Sequence, residues 1–69
     1  MITVRVCEYN PNPAGWYFEF AAKSTDEKPT GEYNGLAICN GSCLTEMDTG
    51  AIYMYDADSA DWIKFGGEG

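Results

Sequence analysis

The feature that most constrains this chain is the period-two alternation of its apolar residues, in short runs that each end in proline, glycine, asparagine or aspartate. Such a pattern places alternate side chains on opposite faces of a pleated strand. Ile2, Val4 and Val6 alternate with Thr3, Arg5 and Cys7, and the sequence predicts a first strand there with the three aliphatic side chains on one face. Asn10-Pro11-Asn12-Pro13 then interrupts the ladder, because proline lacks an amide donor and restricts the residue before it. From Gly15 a second run places Trp16, Phe18 and Phe20 on one face and Tyr17, Glu19 and Ala21 on the other.

The segment from Lys23 to Asn34 is polar and turn-rich and reads as a long connection, the first place to look for a surface contact. A short third strand is expected at Leu36 to Cys39, with Asn40-Gly41 as a two-residue hairpin signal after it. Two further runs, Ser42 to Met47 and Ala51 to Tyr55, are joined by Asp48, Thr49 and Gly50. Aspartate can accept from the backbone ahead of it and glycine can take positive φ, so these three define a type I turn closed by a glycine bulge. An acidic turn from Asp56 to Asp61, with Asp56 placed to cap one helical turn, leads to a last strand, Trp62 to Phe65; residues 66–69 read as a flexible tail. The expectation is an all-β domain over residues 1–69, a small antiparallel meander of five or six short strands forming a single sheet, a small sandwich or an open barrel.

A chain of 69 residues supports a core of only about 3 to 5 kcal/mol, so help from a partner chain is expected. With 45% hydrophobic and 14% aromatic residues it nevertheless has the composition of a folded protein. No histidine is present, which removes the commonest general base and metal ligand. The net charge of −7 opposes binding to phosphate backbones. No apolar run approaches the roughly 18 residues of a spanning helix, and no export signal is seen, so neither nucleic acid nor membrane is an expected partner.

Cys7, Cys39 and Cys43 are odd in number, which excludes a complete internal disulfide framework. Reduced thiols, a Cys39 to Cys43 disulfide and a three-thiolate zinc site are the alternatives, and zinc lacks a fourth ligand. Asp56, Asp58 and Asp61 do not match a calcium loop, because the glycine and glutamate positions are occupied by Asp61 and Gly67. Asp48-Thr49-Gly50 also matches the nucleophile motif of aspartic proteases, but the flap and flanking loop of such an enzyme are missing. No cofactor, metal or catalytic residue is expected.

The aromatics are too many for one face. Trp16, Phe18, Phe20 and Trp62 are expected in the core, while Tyr17, Tyr33, Tyr53 and Tyr55 are candidates for contact with another chain or a glycan. Ile2, Val4 and Val6 complete the candidate interface, as a strand weakly tied to the rest of the sheet.

Ser24-Thr25-Asp26-Glu27-Lys28-Pro29, Gly41-Ser42, Glu46-Met47-Asp48-Thr49-Gly50, Tyr53, Tyr55-Asp56 and Trp62 together resemble a β module of small structural proteins of tailed bacteriophages. The resemblance covers residues 24–65, leaving residues 1–23 as N-terminal strands outside it. The Asp56 to Asp61 loop is longer than that module's closing turn, and the Cys39/Cys43 pair is not part of the pattern. It implies a non-enzymatic virion protein, a capsid decoration, head fibre or tail accessory component. Such a protein would be made in the host cytoplasm and would assemble as a homo-oligomer with a capsid or tail protein. An acidic inhibitor of a host defence protein and a glycan-binding virion module are the alternatives.

Overall fold

In the computed structural model, residues 1–12 and 14–66 are described. The fold is all-β. Five strands form one sheet in the order β1-β2-β5-β6-β7, namely β1 (Thr3–Pro11), β2 (Ala14–Ala22), β5 (Cys43–Glu46), β6 (Ile52–Asp56) and β7 (Asp61–Gly66). A separate two-stranded sheet, β3 (Glu32–Tyr33) and β4 (Leu36–Ala37), packs on it through Tyr33 and Leu36.

The meander is not wholly antiparallel, because β2 and β5 pair in parallel through Glu19↔Cys43 to Ala22↔Glu46. Parallel neighbours need a crossover rather than a tight turn. The connection from Lys23 to Ser42 is that crossover, which is why it is long. It carries the β3–β4 hairpin, whose two-residue turn is Asn34-Gly35 at φ 53° and 81°. Asn40-Gly41, the expected hairpin, instead turns the chain from the parallel bridge Trp16↔Ile38 into β5. Both pairs have hairpin chemistry, and the competition is settled by the parallel pairing, which leaves no antiparallel partner across residues 40 and 41.

A bulge at Arg5 corrects the reading of the first strand. Val4 pairs with Phe20 and Val6 with Glu19, so one residue is inserted and the alternation changes phase. Val4 therefore shares the face of Phe20, whereas Val6 shares the face of Glu19. The strand is also longer and better anchored than expected, with partners on β2 from Thr3 to Pro11. Of the proline pair, Pro11 ends β1, while Pro13 lies outside the described residues. At the other end Gly66 belongs to β7 rather than to a tail, and residues 67–69 lie outside the described residues.

One face of the sheet is covered by the crossover. Phe18, Phe20, Ala22, Leu44, Tyr55 and Trp62 meet Ile38 in a buried cluster, with Ile2, Trp16, Tyr33, Leu36 and Tyr53 packed around it. Each large side chain removed from water in this way contributes about 1.5 to 3 kcal/mol. The rings are ordered: Phe18 stacks on Phe20 at 4.8 Å, and Tyr33 sets its ring at 69–78° to both, 5.1 Å from Phe20 and 5.9 Å from Phe18. Trp16, expected in the core, is only half-buried and meets Tyr9 edge-on at 5.6 Å.

Candidate functional site

The residues that carry the resemblance converge on one another. Asp48, in the turn between β5 and β6, accepts from the Ser24 backbone N–H at 2.9 Å and from its hydroxyl at 2.6 Å. Two residues along the crossover, Asp26 accepts from the Lys23 N–H and from the N-terminal ammonium, each at 2.9 Å. Lys28 then donates to Glu46 at 2.7 Å and places its ammonium 4.5 Å from the centre of the Tyr53 ring. Glu46 is 5% exposed, and its second oxygen accepts from the Thr49 hydroxyl at 2.7 Å. Both carboxylate oxygens of a nearly buried charge are thus satisfied. Pro29 contributes its carbonyl to the Trp62 indole N–H at 2.7 Å, and the Gly31 N–H donates to the Tyr55 hydroxyl at 2.7 Å.

These contacts stitch the crossover to the β5–β6 hairpin and to β7. They also set the local electrostatics. Hydrogen bonds from Lys28 and Thr49 hold the Glu46 carboxyl below its usual value, and the Ser24 hydroxyl and amide do the same for Asp48. For Asp26 the Lys23 amide and the terminal ammonium act in that direction. A turn forms here, but it is one residue wider than expected: β5 ends at Glu46, Met47 joins Asp48, Thr49 and Gly50 in the loop, Gly50 has φ 79°, and its N–H donates to the Glu46 carbonyl at 2.8 Å.

A second polar group centres on Ser42, which the resemblance included only as the start of a strand, with no bonding role. Ser42 is fully buried, accepts from the Phe18 N–H at 3.1 Å and donates to the Cys39 carbonyl at 2.9 Å. Its hydroxyl serves backbone groups that the bend between the Ile38 bridge and β5 leaves without ladder partners. A small hydroxyl after Asn-Gly was the available hint.

The candidate interface residues do not form one patch. Tyr55 is 3% exposed and belongs to the core, Tyr33 is wedged against Phe18 and Phe20, and Tyr53 lies beneath Lys28. Ile2 packs on the core, and Val4 is displaced to the same face by the bulge. Tyr17 and Val6 remain on the opposite face. There the Tyr17 hydroxyl donates to Glu19 at 2.7 Å, with the Cys43 sulfur 3.7 Å from the same oxygen. The bond to Glu19, with burial and the neighbouring thiol, raises the Tyr17 phenol well above its ordinary value.

That opposite face is open. By register it carries Val6, Tyr17, Glu19, Cys43, Thr45, Ile52, Met54 and Ile63, and no described strand packs on it. Ile52, Ile63 and Phe65 are 41%, 50% and 71% exposed. At its β6–β7 end a groove of about 290 Å³ is lined by Asn40, Gly41, Met54, Tyr55, Asp56, Ile63 and Phe65.

Cys7, Cys39 and Cys43 are free thiols, exposed, buried and half-buried respectively. Among the described residues no group of three histidine, cysteine, aspartate or glutamate side chains is arranged to hold a metal ion. Asp56 does not cap a helix; it accepts from the Asp58 N–H at 3.1 Å and the Ser59 hydroxyl at 3.0 Å in a hairpin turn. Comparison with protein-family models, curated proteins and solved structures finds no match to the chain.

Proposed function

We propose that the protein is a non-enzymatic structural component of a tailed-bacteriophage virion, a capsid decoration or head or tail accessory protein. It acts by assembling with copies of itself and with a capsid or tail protein. The observation that carries this reading is the division of labour between the two faces of the sheet. On one face, Ser24, Asp26, Lys28, Glu46, Asp48, Thr49 and Trp62, residues of the phage-like motif, spend their polar atoms on bonds within the chain. On the other, Ile52, Ile63 and Phe65 stand in solvent. A small acidic fold whose polar motif is internal, and whose apolar residues face outward, suits assembly better than turnover of a substrate.

Mass spectrometry of purified particles from a phage encoding the chain, together with sedimentation of the isolated protein, tests this. The chain should be present in particles at a fixed ratio to the major capsid or tail protein, and the isolated protein should sediment as a closed oligomer. A chain absent from particles, and recovered as a soluble monomer on a host protein, would replace this reading with that of an acidic inhibitor.

A further inference from the structure

The sheet has two edges, and they differ. On β1 the bulge at Arg5 and the closing Pro11 interrupt the row of backbone donors and acceptors, two devices that discourage strand addition. On β7 the pairing with β6 is regular from Asp61 to Lys64, through Asp56↔Asp61, Tyr55↔Trp62, Met54↔Ile63 and Tyr53↔Lys64. Only beyond Lys64 does the register shift, at Phe65, which stands 71% exposed beside the groove. Among the described residues no strand pairs with the outer side of β7.

The surface beside this edge has a definite chemical order. Asp61, Ile63 and Phe65 alternate along β7 toward the open face, with Asp56 and Met54 opposite the first two on β6. One end is therefore acidic and the other apolar. Asp56 and Asp61 are held in place by their own turn, Asp56 through the Asp58 and Ser59 bonds and Asp61 through the Trp62 N–H at 2.9 Å. A second copy of this chain, at net charge −7, would bring like charges together here.

We infer that β7 receives an extended basic segment of a partner protein as a sixth strand. An apolar side chain of that segment lies in the groove against Met54, Ile63 and Phe65, and a Lys or Arg two residues away meets Asp56 and Asp61. The i, i+2 spacing follows from the strand repeat, because residues two apart on the added strand face residues two apart on β7. Main-chain bonds supply part of the affinity, and the carboxylates select charge and register. The inference rests on the reading of the chain as an assembly module and names the partner chemistry of one of its edges.

The test is a titration of the ¹⁵N-labelled protein with the capped peptide acetyl-Thr-Lys-Thr-Leu-Thr-Lys-Thr-amide, whose symmetric pattern fits either strand direction. A control peptide carries Glu for both Lys. Amide shifts should be confined to residues 61–66 and to Asn40 and Gly41, and affinity should fall with added salt. Asp61→Asn, which keeps an acceptor for the Trp62 amide, and Phe65→Ser, at an exposed position, should each weaken binding by roughly tenfold with the rest of the spectrum unchanged. Equal binding of the Glu peptide, shifts on β1 instead, or no binding at millimolar peptide would overturn the inference. So would β7 shifts that grow with protein concentration alone, which would make the occupant a second copy. Sedimentation and the particle census report on the assembly reading separately: a chain absent from virions that still binds the Lys peptide at β7 removes that reading and keeps this one.

Discussion

Ser24 and Asp48 are joined by two hydrogen bonds, backbone N–H to one carboxylate oxygen at 2.9 Å and hydroxyl to the other at 2.6 Å. The pair fixes the first residues of the crossover to the tip of the β5–β6 hairpin. Behind it, Met47 N–H donates to the Ala22 carbonyl at 2.7 Å, so the end of β2, the start of the crossover and the hairpin turn are clamped at one corner. Lys28 and Glu46 repeat the connection one layer inward.

The clamp makes stability dependent on acid. Asp26, Glu46 and Asp48 all have folded-state values below their ordinary ones. Their contribution is complete above the unfolded values of about 4 and is lost as pH falls through the lower folded values. Melting temperature should be level in this respect from about pH 7 to 5 and drop below about pH 4. Asp48→Asn should melt lower at neutral pH and show a shallower acid decline. An acid profile identical to that of the parent would show that the Ser24 contact carries no charge-dependent stability.

Ser42→Ala tests the buried hydroxyl. It leaves the Phe18 N–H without its acceptor in a fully buried position, while the Cys39 carbonyl keeps the Ser42 backbone N–H at 3.2 Å. The expected cost by urea denaturation is about 1 to 3 kcal/mol, the penalty of one unsatisfied buried group. Hydrogen exchange at the Phe18 amide should accelerate as well. A loss under about 0.5 kcal/mol would mean that water replaces the hydroxyl.

Two glycines should respond to substitution for different reasons. A Cβ on Gly15, at φ 149°, would lie 2.8 Å from the Cys39 Cβ and 3.1 Å from its Cα. Gly15→Ala must therefore push the crossover away from β2, at about 1 to 3 kcal/mol or more. At Gly50 space is open, but φ is 79°, so Gly50→Val should cost more than about 1 kcal/mol through the backbone alone. Thermal melts of both variants check this, and a Gly15→Ala protein as stable as the parent would contradict the close approach of Cys39.

Trp62 joins the last strand to the crossover through its ring and its indole N–H, packing 5.0 Å from Tyr55 and 6.0 Å from Phe20. Trp62→Phe keeps much of the packing and loses the bond to Pro29, for about 1 kcal/mol plus the smaller ring, whereas Trp62→Ala should cost about 3 to 5 kcal/mol. Emission is a direct check, because Trp62 is buried and Trp16 only half-buried. Removing Trp62 should shift the remaining fluorescence to the red. An unshifted spectrum would place Trp62 in solvent.

Much of the local structure was legible in the residues. Alternation located β1, β2, β5, β6 and β7, and Asp48, Thr49 and Gly50 specified their turn, because these features depend only on neighbours along the chain. Phe18, Phe20 and Trp62 were readable as core for the same reason. Trp16 was not, because it lies near the Pro11↔Ala14 end of the β1–β2 ladder, at the margin of the core, beside an exposed Tyr9.

What the chain order could not express was which strands become neighbours. The all-β class, the strand positions and the Asp-Thr-Gly hairpin were determined by the sequence itself, through the two-residue repeat of the strand and the turn preferences of glycine, proline and aspartate. Only the tertiary structure decided that β2 pairs in parallel with β5. That pairing drew the 23–42 connection across one face, buried Tyr55 and Ser42, and left Ile63 and Phe65 exposed on the other. The bulge at Arg5 was decided there too, since an inserted residue is visible only against the strand it pairs with. Period two assigns residues to two faces, and long-range pairing chooses which face the chain covers.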